Sequence, residues 1–403
     1  MHMKRFIFMA ATAMIAATSA WSDTVTTEAE LRAALVGEYI NIELGADITL
    51  SSYWLITRGQ IVTLDLNGHT LRRSGLTAAD RNGHVIEVDT GGSLTINDDS
   101  STQTGTITGG WAINGGGICN YGYVAINGGT ITGCKADDGG AIKNNDGAEL
   151  GIGGGVITNC TSATNGGAIS NFGMATMSGA TIRGNTAKGR GGAIWTSGYL
   201  DIGTATITGN QAKELGGGIY YANGSTGVLN GTVISGNSSP EGGGLNVEQT
   251  ANITFYDPVI TDNTSTVFGG GGITNYGTLD IDGLTVTGNT CPTEGGGIWN
   301  NGTLKMKGTV TVQDNARISG LTNNVYLRSD HVINVTGSLG NSRIGLTVQG
   351  NNGVATSGLR SNGNISNFTN DRAEITNLAI VSGQVKITPK SDGIYYVERG
   401  WEN

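Results

Sequence analysis

Eight copies of one tetrad, Gly-Gly-(Gly/Ala)-(Ile/Leu), constrain this chain more than any other feature. The last residue of the tetrad falls at Ile118, Ile142, Ile169, Ile194, Ile219, Leu245, Ile273 and Ile298, with gaps of 24, 27, 25, 25, 26, 28 and 25 residues. Self-similarity at this period belongs to solenoids, in which each repeat packs only on its neighbours. Three short apolar segments recur in each repeat. The first ends in the tetrad aliphatic. The second is an apolar-x-apolar pair such as Leu200/Ile202 or Leu279/Ile281, and the third is a Thr-Ile-Thr-like triplet centred at Ile131, Ile157, Ile182, Ile207, Ile234 and Ile260. Side chains alternate faces along a strand, so these aliphatics point one way and stack into internal ladders. Three strands per turn of about 25 residues predict an all-β, parallel β-helix, right-handed by the usual chirality of parallel crossovers.

The punctuation between strands agrees. Asn follows the third strand at Asn185, Asn210, Asn237, Asn263, Asn289 and Asn315, and recurs two residues past the tetrad aliphatic at Asn120, Asn144, Asn171, Asn275 and Asn300. Asn tolerates turn conformations, and stacked amides hydrogen-bond along a fibre-like axis. Gly is 69 of 403 residues with only 4 Pro and no three-residue period, which excludes collagen. Charged residues are 14%, too few for a charge-solvated disordered chain.

Residues 1–22 read as a secretory signal. Lys4 and Arg5 precede the apolar run Phe6 to Ala17, and Ala20-Trp21-Ser22 fits a cleavage site before Asp23. Removing two cations leaves a net charge of 21 − 32 = −11, unsuited to nucleic acid or anionic lipid. No later stretch is long and apolar enough for a transmembrane segment. Thr27-Glu28-Ala29-Glu30 matches a capping box, predicting a short helix over 27–36 that covers the open end of the solenoid. Residues 23–316 are then the β-helix with its N-terminal cap. Residues 317–403, where the tetrad vanishes, read as final irregular rungs and a C-terminal cap, with a separate small β domain from about residue 340 as the alternative.

The Gly-Gly-Ala-Ile … Gly-Asn repeat resembles the GGAI-type repeats of chlamydial polymorphic membrane proteins and related bacterial adhesin-like β-helix proteins. Val62-Thr63-Leu64-Asp65-Leu66-Asn67-Gly68-His69-Thr70-Leu71 is similar to the N-terminal rung of surface proteins with a pectate-lyase-like fold. The resemblance implies an exported bacterial protein, secreted or at the cell surface, that is either adhesin-like, with a surface glycan or an extracellular protein as its partner, or of unassigned role.

Candidate chemistry is sparser. Asp280 and Asp282 flank inward Ile281, so both point outward roughly 7 Å apart, within the roughly 6.5–9.5 Å of an inverting glycosidase pair. A polysaccharide lyase or glycoside hydrolase is therefore the alternative function. The next repeat, however, reads Leu304-Lys305-Met306-Lys307, so stacking sets Lys305 beside Asp280 and Lys307 beside Asp282, a charge ladder that needs no catalysis. Asp98-Asp99 and Asp137-Asp138 read as solvated turn acids, with calcium ligation as the alternative. No cofactor is otherwise expected. Cys119, Cys134, Cys160 and Cys291 form no CxxC and have no His nearby in sequence, which argues against a zinc site. Cys134 and Cys160 share a repeat position and read as two small buried side chains, with a disulfide as the alternative.

The residue after each tetrad aliphatic should face outward. That column reads Cys119, Lys143, Ser170, Trp195, Tyr220, Asn246, Thr274 and Trp299, and Tyr221 adjoins it. Trp195, Tyr220, Tyr221 and Trp299 are the candidate binding residues, because rigid exposed aromatics contribute large contact area at small entropic cost. Outward pairs Thr130/Thr132, Thr206/Thr208 and Thr285/Thr287 raise a second alternative, an ice-binding face, although Val156, Arg183, Val233, Val259 and Gln313 interrupt it.

Overall fold

A computed structural model describes residues 23–80, 82–351, 353–358, 365–371, 376–381 and 384–389. The expected signal, residues 1–22, lies outside them. The chain winds into a right-handed parallel β-helix of about 12 turns. One coil runs Ile194–Thr196, Tyr199–Ile202, Thr206–Thr208 and Gln211–Ala212, and the next repeats it as Ile219–Tyr221, Thr226–Asn230, Val233–Ser235 and Ser238–Ser239. Pairing is parallel and in phase: Ile194 sits on Ile219, Leu200 on Gly227, Ile207 on Ile234. Here the faces are called sheets one, two and three, in that order along each coil.

The expectation of three strands per coil is corrected to four. A corner sheet of nine short strands runs beside the three faces. Six of its strands, such as Thr186–Ala187 or Thr264–Ser265, are two-residue pieces whose single inward side chain is small: Ser162, Ala187, Ala212, Ser239, Ser265 or Cys291. A piece with one small inward residue has no visible alternation, so periodicity does not reveal it.

The aliphatic ladders are fully internal. Every tetrad aliphatic from Ile118 to Ile298 is buried, and so is every Ile at the centre of the Thr-Ile-Thr-like triplets. Burying each contributes roughly 1.5–3 kcal/mol before conformational entropy is subtracted. Both Asn columns are also internal. In the first, Asn120 Nδ2 donates to Asn144 Oδ1 and Asn144 Nδ2 to Asn171 Oδ1, each at 2.7 Å. In the second, the side chains of Asn185, Asn210, Asn237, Asn263, Asn289, Asn315 and Asn324 form an unbroken run with Nδ2–Oδ1 distances of 2.9–3.0 Å. The run ends where Asn324 Nδ2 donates to Asp371 at 2.8 Å. Cys160 stands at the head of this column, and its N–H donates to Asn185 Oδ1.

The ends are closed by different devices. The helix Glu28–Ala33 carries the capping box on Thr27 and buries Leu31 against the first coil. Beyond residue 317, Val325–Leu327 and Ile333–Val335 extend sheets one and two. Arg343–Val348 extends two faces at once: its start pairs with sheet three at Thr311 and its end with sheet one at Val325. One continuous strand therefore replaces the corner that the Gly-Gly turn makes elsewhere. The antiparallel strands Thr376–Val381 and Gln384–Pro389 follow, with Val385 and Ile387 in the core.

Candidate functional site

The tetrad dictates the local geometry of sheet one. Its first glycine takes a left-handed φ, +67° at Gly191 and +66° at Gly216, which turns the corner strand back over the next one. A Cβ added at Gly191 would lie 2.7 Å from the Trp195 nitrogen. The turn therefore lies flat on the outer side of sheet one. This corrects the expected exposure of the column: its side chains point away from the core, but Cys119, Ser170, Tyr220, Asn246 and Thr274 are buried beneath the turn. Lys143, Trp195 and Trp299 are half-buried. Strand alternation gives the direction of a side chain and says nothing of what folds over it.

The two half-buried tryptophans each pack on a second ring. Trp195 packs on Phe172, ring centroids 4.9 Å apart and tilted by 50°, and Trp299 packs on Tyr276 at 5.1 Å and 59°. Cations lie over the same strip: Lys143 over Phe172 at 4.9 Å, Arg190 over Tyr220 at 5.2 Å, Arg328 over Trp299 at 5.7 Å. Arg190 also donates to the Tyr220 hydroxyl at 3.0 Å and pairs with Glu214 at 3.2 Å. Between the two tryptophans, Tyr276 donates to Glu241 at 2.7 Å. Burial raises the Glu241 carboxyl above the usual range, and the charge of Glu248 adds to the rise against the opposing Tyr276 bond. Burial also holds the Tyr220 phenol well above its ordinary value. Phe172, Tyr276, Arg190 and Glu241 were not singled out from sequence. A signal existed for the rings, in the triplets Asn120-Tyr121-Gly122, Asn171-Phe172-Gly173 and Asn275-Tyr276-Gly277. In the loop that brings Gly269 against Trp299, Val267 and Phe268 are exposed at 50% and 55%.

Tyr221 does not belong to this strip. It stacks between Thr196 and Val247 in the column that elsewhere holds Asn, and it is wholly buried. Its hydroxyl has no hydrogen-bond partner, and burial raises the phenol far above its ordinary value. A buried unpaired hydroxyl costs about 1–3 kcal/mol, so Tyr221→Phe is expected to raise the denaturant midpoint by the equivalent of about 1 kcal/mol. A lower midpoint would reveal a partner for that hydroxyl.

The other candidates lie elsewhere. Asp280 pairs with Lys305 and Asp282 with Lys307 in the register of sheet two, away from the aromatic strip. Lys307 Nζ is 3.1 Å from Asp282 Oδ2, and its pKa is raised, first by that hydrogen bond. Asp98 corrects the expectation of a solvated turn. It is buried and accepts from Gly68 N–H at 2.8 Å, Gly105 N–H at 2.7 Å and Ser100 Oγ at 2.7 Å. Asp65 accepts from Asn67 N–H and Asp99 N–H. Donors thus occupy these carboxylates, which staple the loop after Asn97. Asp137-Asp138 lies within a corner strand, where Asp138 pairs with Lys143 at 2.9 Å. Cys134 and Cys160 are buried free thiols, and Cys160 is pushed up by Cys134 and by burial. In the Thr columns, Val156, Val233 and Val259 stand in register with Thr130, Thr206 and Thr285, and Ser235 Oγ donates to Thr208 at 3.1 Å.

Residues 174–316 match the family described as a right-handed β-helix region. No curated protein and no solved structure matches the chain. Among the described residues, no helix is long and apolar enough to cross a membrane.

Proposed function

We propose that this chain is an exported, surface-displayed or secreted β-helix protein of adhesin-like role that binds a glycan along the outer side of sheet one. The observation that carries the reading is the strip itself. Two ring pairs, Phe172/Trp195 and Tyr276/Trp299, stand at its ends, with Arg190, Tyr220 and Glu241 between them. Trp195 and Trp299 are four strand spacings apart in register, about 19 Å at about 4.8 Å each, long enough for several sugar rings. Ring faces stack on the C–H faces of sugars, and the flanking cations and carboxylate suit hydroxyls. A solenoid presents such a strip rigidly, which limits the entropy lost on binding. The likeness of the repeats to those of bacterial surface proteins and the signal-like N-terminus support display outside the cell.

The test is retention of the chain on immobilised neutral and acidic polysaccharides, followed by titration with the glycan that retains it. Trp195→Ala and Trp299→Ala are each expected to weaken binding roughly tenfold or more, about 1.4 kcal/mol. Tyr256→Ala, on sheet two, should leave binding unchanged. Retention unaffected by both tryptophan changes, or seen only with a protein ligand, would sink the glycan reading.

Glu241 favours a second reading, a polysaccharide lyase or hydrolase. A carboxyl that keeps its proton to higher pH, beside a second acid, is what a general acid requires. New chain ends abolished by Glu241→Gln would establish it. New ends abolished instead by Asp280→Asn or Asp282→Asn would move the chemistry to sheet two.

A further inference from the structure

We infer that His84, Glu87 and Cys119 form a binding site for a divalent transition-metal ion, zinc being the ion that this donor set fits. The site lies near the N-terminal end of sheet one, three strand spacings before Trp195 in the same column, and does not depend on the glycan reading.

Coiling brings Cys119 beside Glu87 and His84, which lie three residues apart in sequence. Glu87 and Cys119 are register partners on adjacent strands, and Cys119 is followed in the column by Lys143. His84 enters from the turn before the strand Ile86–Val88. Gly83 permits that entry: a Cβ there would lie 2.7 Å from the Trp111 carbonyl carbon. One donor atom from each of the three lies within 4.8 Å of the others. A tetrahedral zinc with bonds of about 2.0–2.3 Å sets its donors about 3.3–3.8 Å apart, so closing the site requires the donors to approach by about 1 Å.

The imidazole is the second observation. His84 is 1% exposed, its edge held against Tyr53 with ring centroids 4.8 Å apart. Neither ring nitrogen makes a hydrogen bond. Nε2 is 3.0 Å from Glu87 Oε2, yet not aligned to donate to it. Buried polar nitrogens are rarely left so, and an ion held between the two groups is a physical reason for the arrangement. Asn145 Nδ2 donates to Cys119 Sγ at 3.7 Å, the kind of outer contact that fixes a ligating sulfur. Lys143, the nearest cation in the column, is paired with Asp138.

Sulfur and imidazole nitrogen select a borderline transition ion over calcium or magnesium. With three protein donors, the fourth position opens into a cavity of about 390 Å³ whose walls include Asn82, Asp89, Asn114 and Tyr121. An open fourth position is the arrangement of sites that bind an exchangeable water or small ligand.

The experiment titrates the chelator-treated full chain with Zn²⁺ and, separately, with Co²⁺. One equivalent of Zn²⁺ is expected, together with a thiolate-to-cobalt charge-transfer band in the near ultraviolet. Losing an outer contact costs such sites about 10–100-fold, so Cys119→Ser and His84→Gln should each weaken Zn²⁺ by about 100-fold or more, and Glu87→Gln less. Cys119→Ser should also abolish the cobalt band, whereas Cys134→Ser, Cys160→Ser and Cys291→Ser combined should keep it. Circular dichroism of each variant separates ligand loss from unfolding. The inference is overturned if no equivalent saturates, if the wild-type cobalt complex lacks the thiolate band, or if folded Cys119→Ser and His84→Gln bind Zn²⁺ as the wild type does.

Discussion

Gly192→Ala is expected to lower the stability of the solenoid by about 3 kcal/mol or more, read as a fall in the denaturant midpoint. The added Cβ would lie 2.5 Å from the Gln211 carbonyl carbon and 2.7 Å from the Gln211 nitrogen, and closer still to the Gly217 carbonyl oxygen. All three are backbone atoms of the next coil, so no rotamer change relieves the overlap. The same crowding recurs at Gly140, Gly167, Gly217, Gly243 and Gly271, each against the middle glycine carbonyl one coil on. A coil cannot move away without breaking the hydrogen bonds of this stack, such as Gly192 N–H to Gly216 O and Gly217 N–H to Gly242 O, each 3.0 Å. The contrast is Gly151→Ala. Its Cβ meets nothing nearer than 3.9 Å, and its φ is ordinary. That change should be neutral or stabilise by up to about 1 kcal/mol, by restricting the unfolded chain. Equal midpoints for Gly192→Ala and Gly151→Ala would contradict the crowded corner.

Asn237→Ala should cost about 3 kcal/mol for a different reason. The Asn237 amide closes four hydrogen bonds inside the core. Its Oδ1 accepts from the Asn210 backbone N–H at 2.9 Å and from Asn210 Nδ2 at 3.0 Å. Its Nδ2 donates to the Ile207 carbonyl and to Asn263 Oδ1, both at 3.0 Å. Alanine strands the Asn210 N–H and the Ile207 carbonyl in a dry interior, at about 1–3 kcal/mol per orphaned group. The loss should be local to the central coils, because a solenoid distributes stability between neighbouring repeats. Hydrogen exchange checks this: amides near Asn210 and Asn237 should lose protection while those near Leu64 and Leu94 keep it. Uniform loss along the whole chain would show that the ladder couples all coils into one unit.

Much of the fold was legible because a stacked repeat turns sequence separation into contact. Residues one period apart become register partners, so the inward aliphatics, both Asn columns and the alignment of Asp280 and Asp282 with Lys305 and Lys307 follow from counting. The short helix with its capping box is equally local, and the structure places it at Glu28–Ala33. Alternation likewise fixes which side of sheet one Trp195, Tyr220 and Trp299 occupy.

What counting cannot supply is how the corners and loops pack against the faces beside them. The left-handed glycine turn lies over sheet one, buries Tyr220 and Asn246 and leaves Lys143 and the paired tryptophans half open. Tyr221, two residues past Ile219, holds the slot of an Asn column, so alternation alone turns it inward, against its selection as a binding residue. Asp98 is drawn in by N–H donors from loops at Gly68 and Gly105. His84 comes near Cys119 of the next coil where Gly83 lets its corner pass close to Trp111. Thus sequence by itself determined the period, the ladders and the axial neighbours, since these need only strand alternation and in-phase stacking. The tertiary structure decided which outward side chains are covered and which donors meet, since those depend on how each corner turn lies across the face beside it.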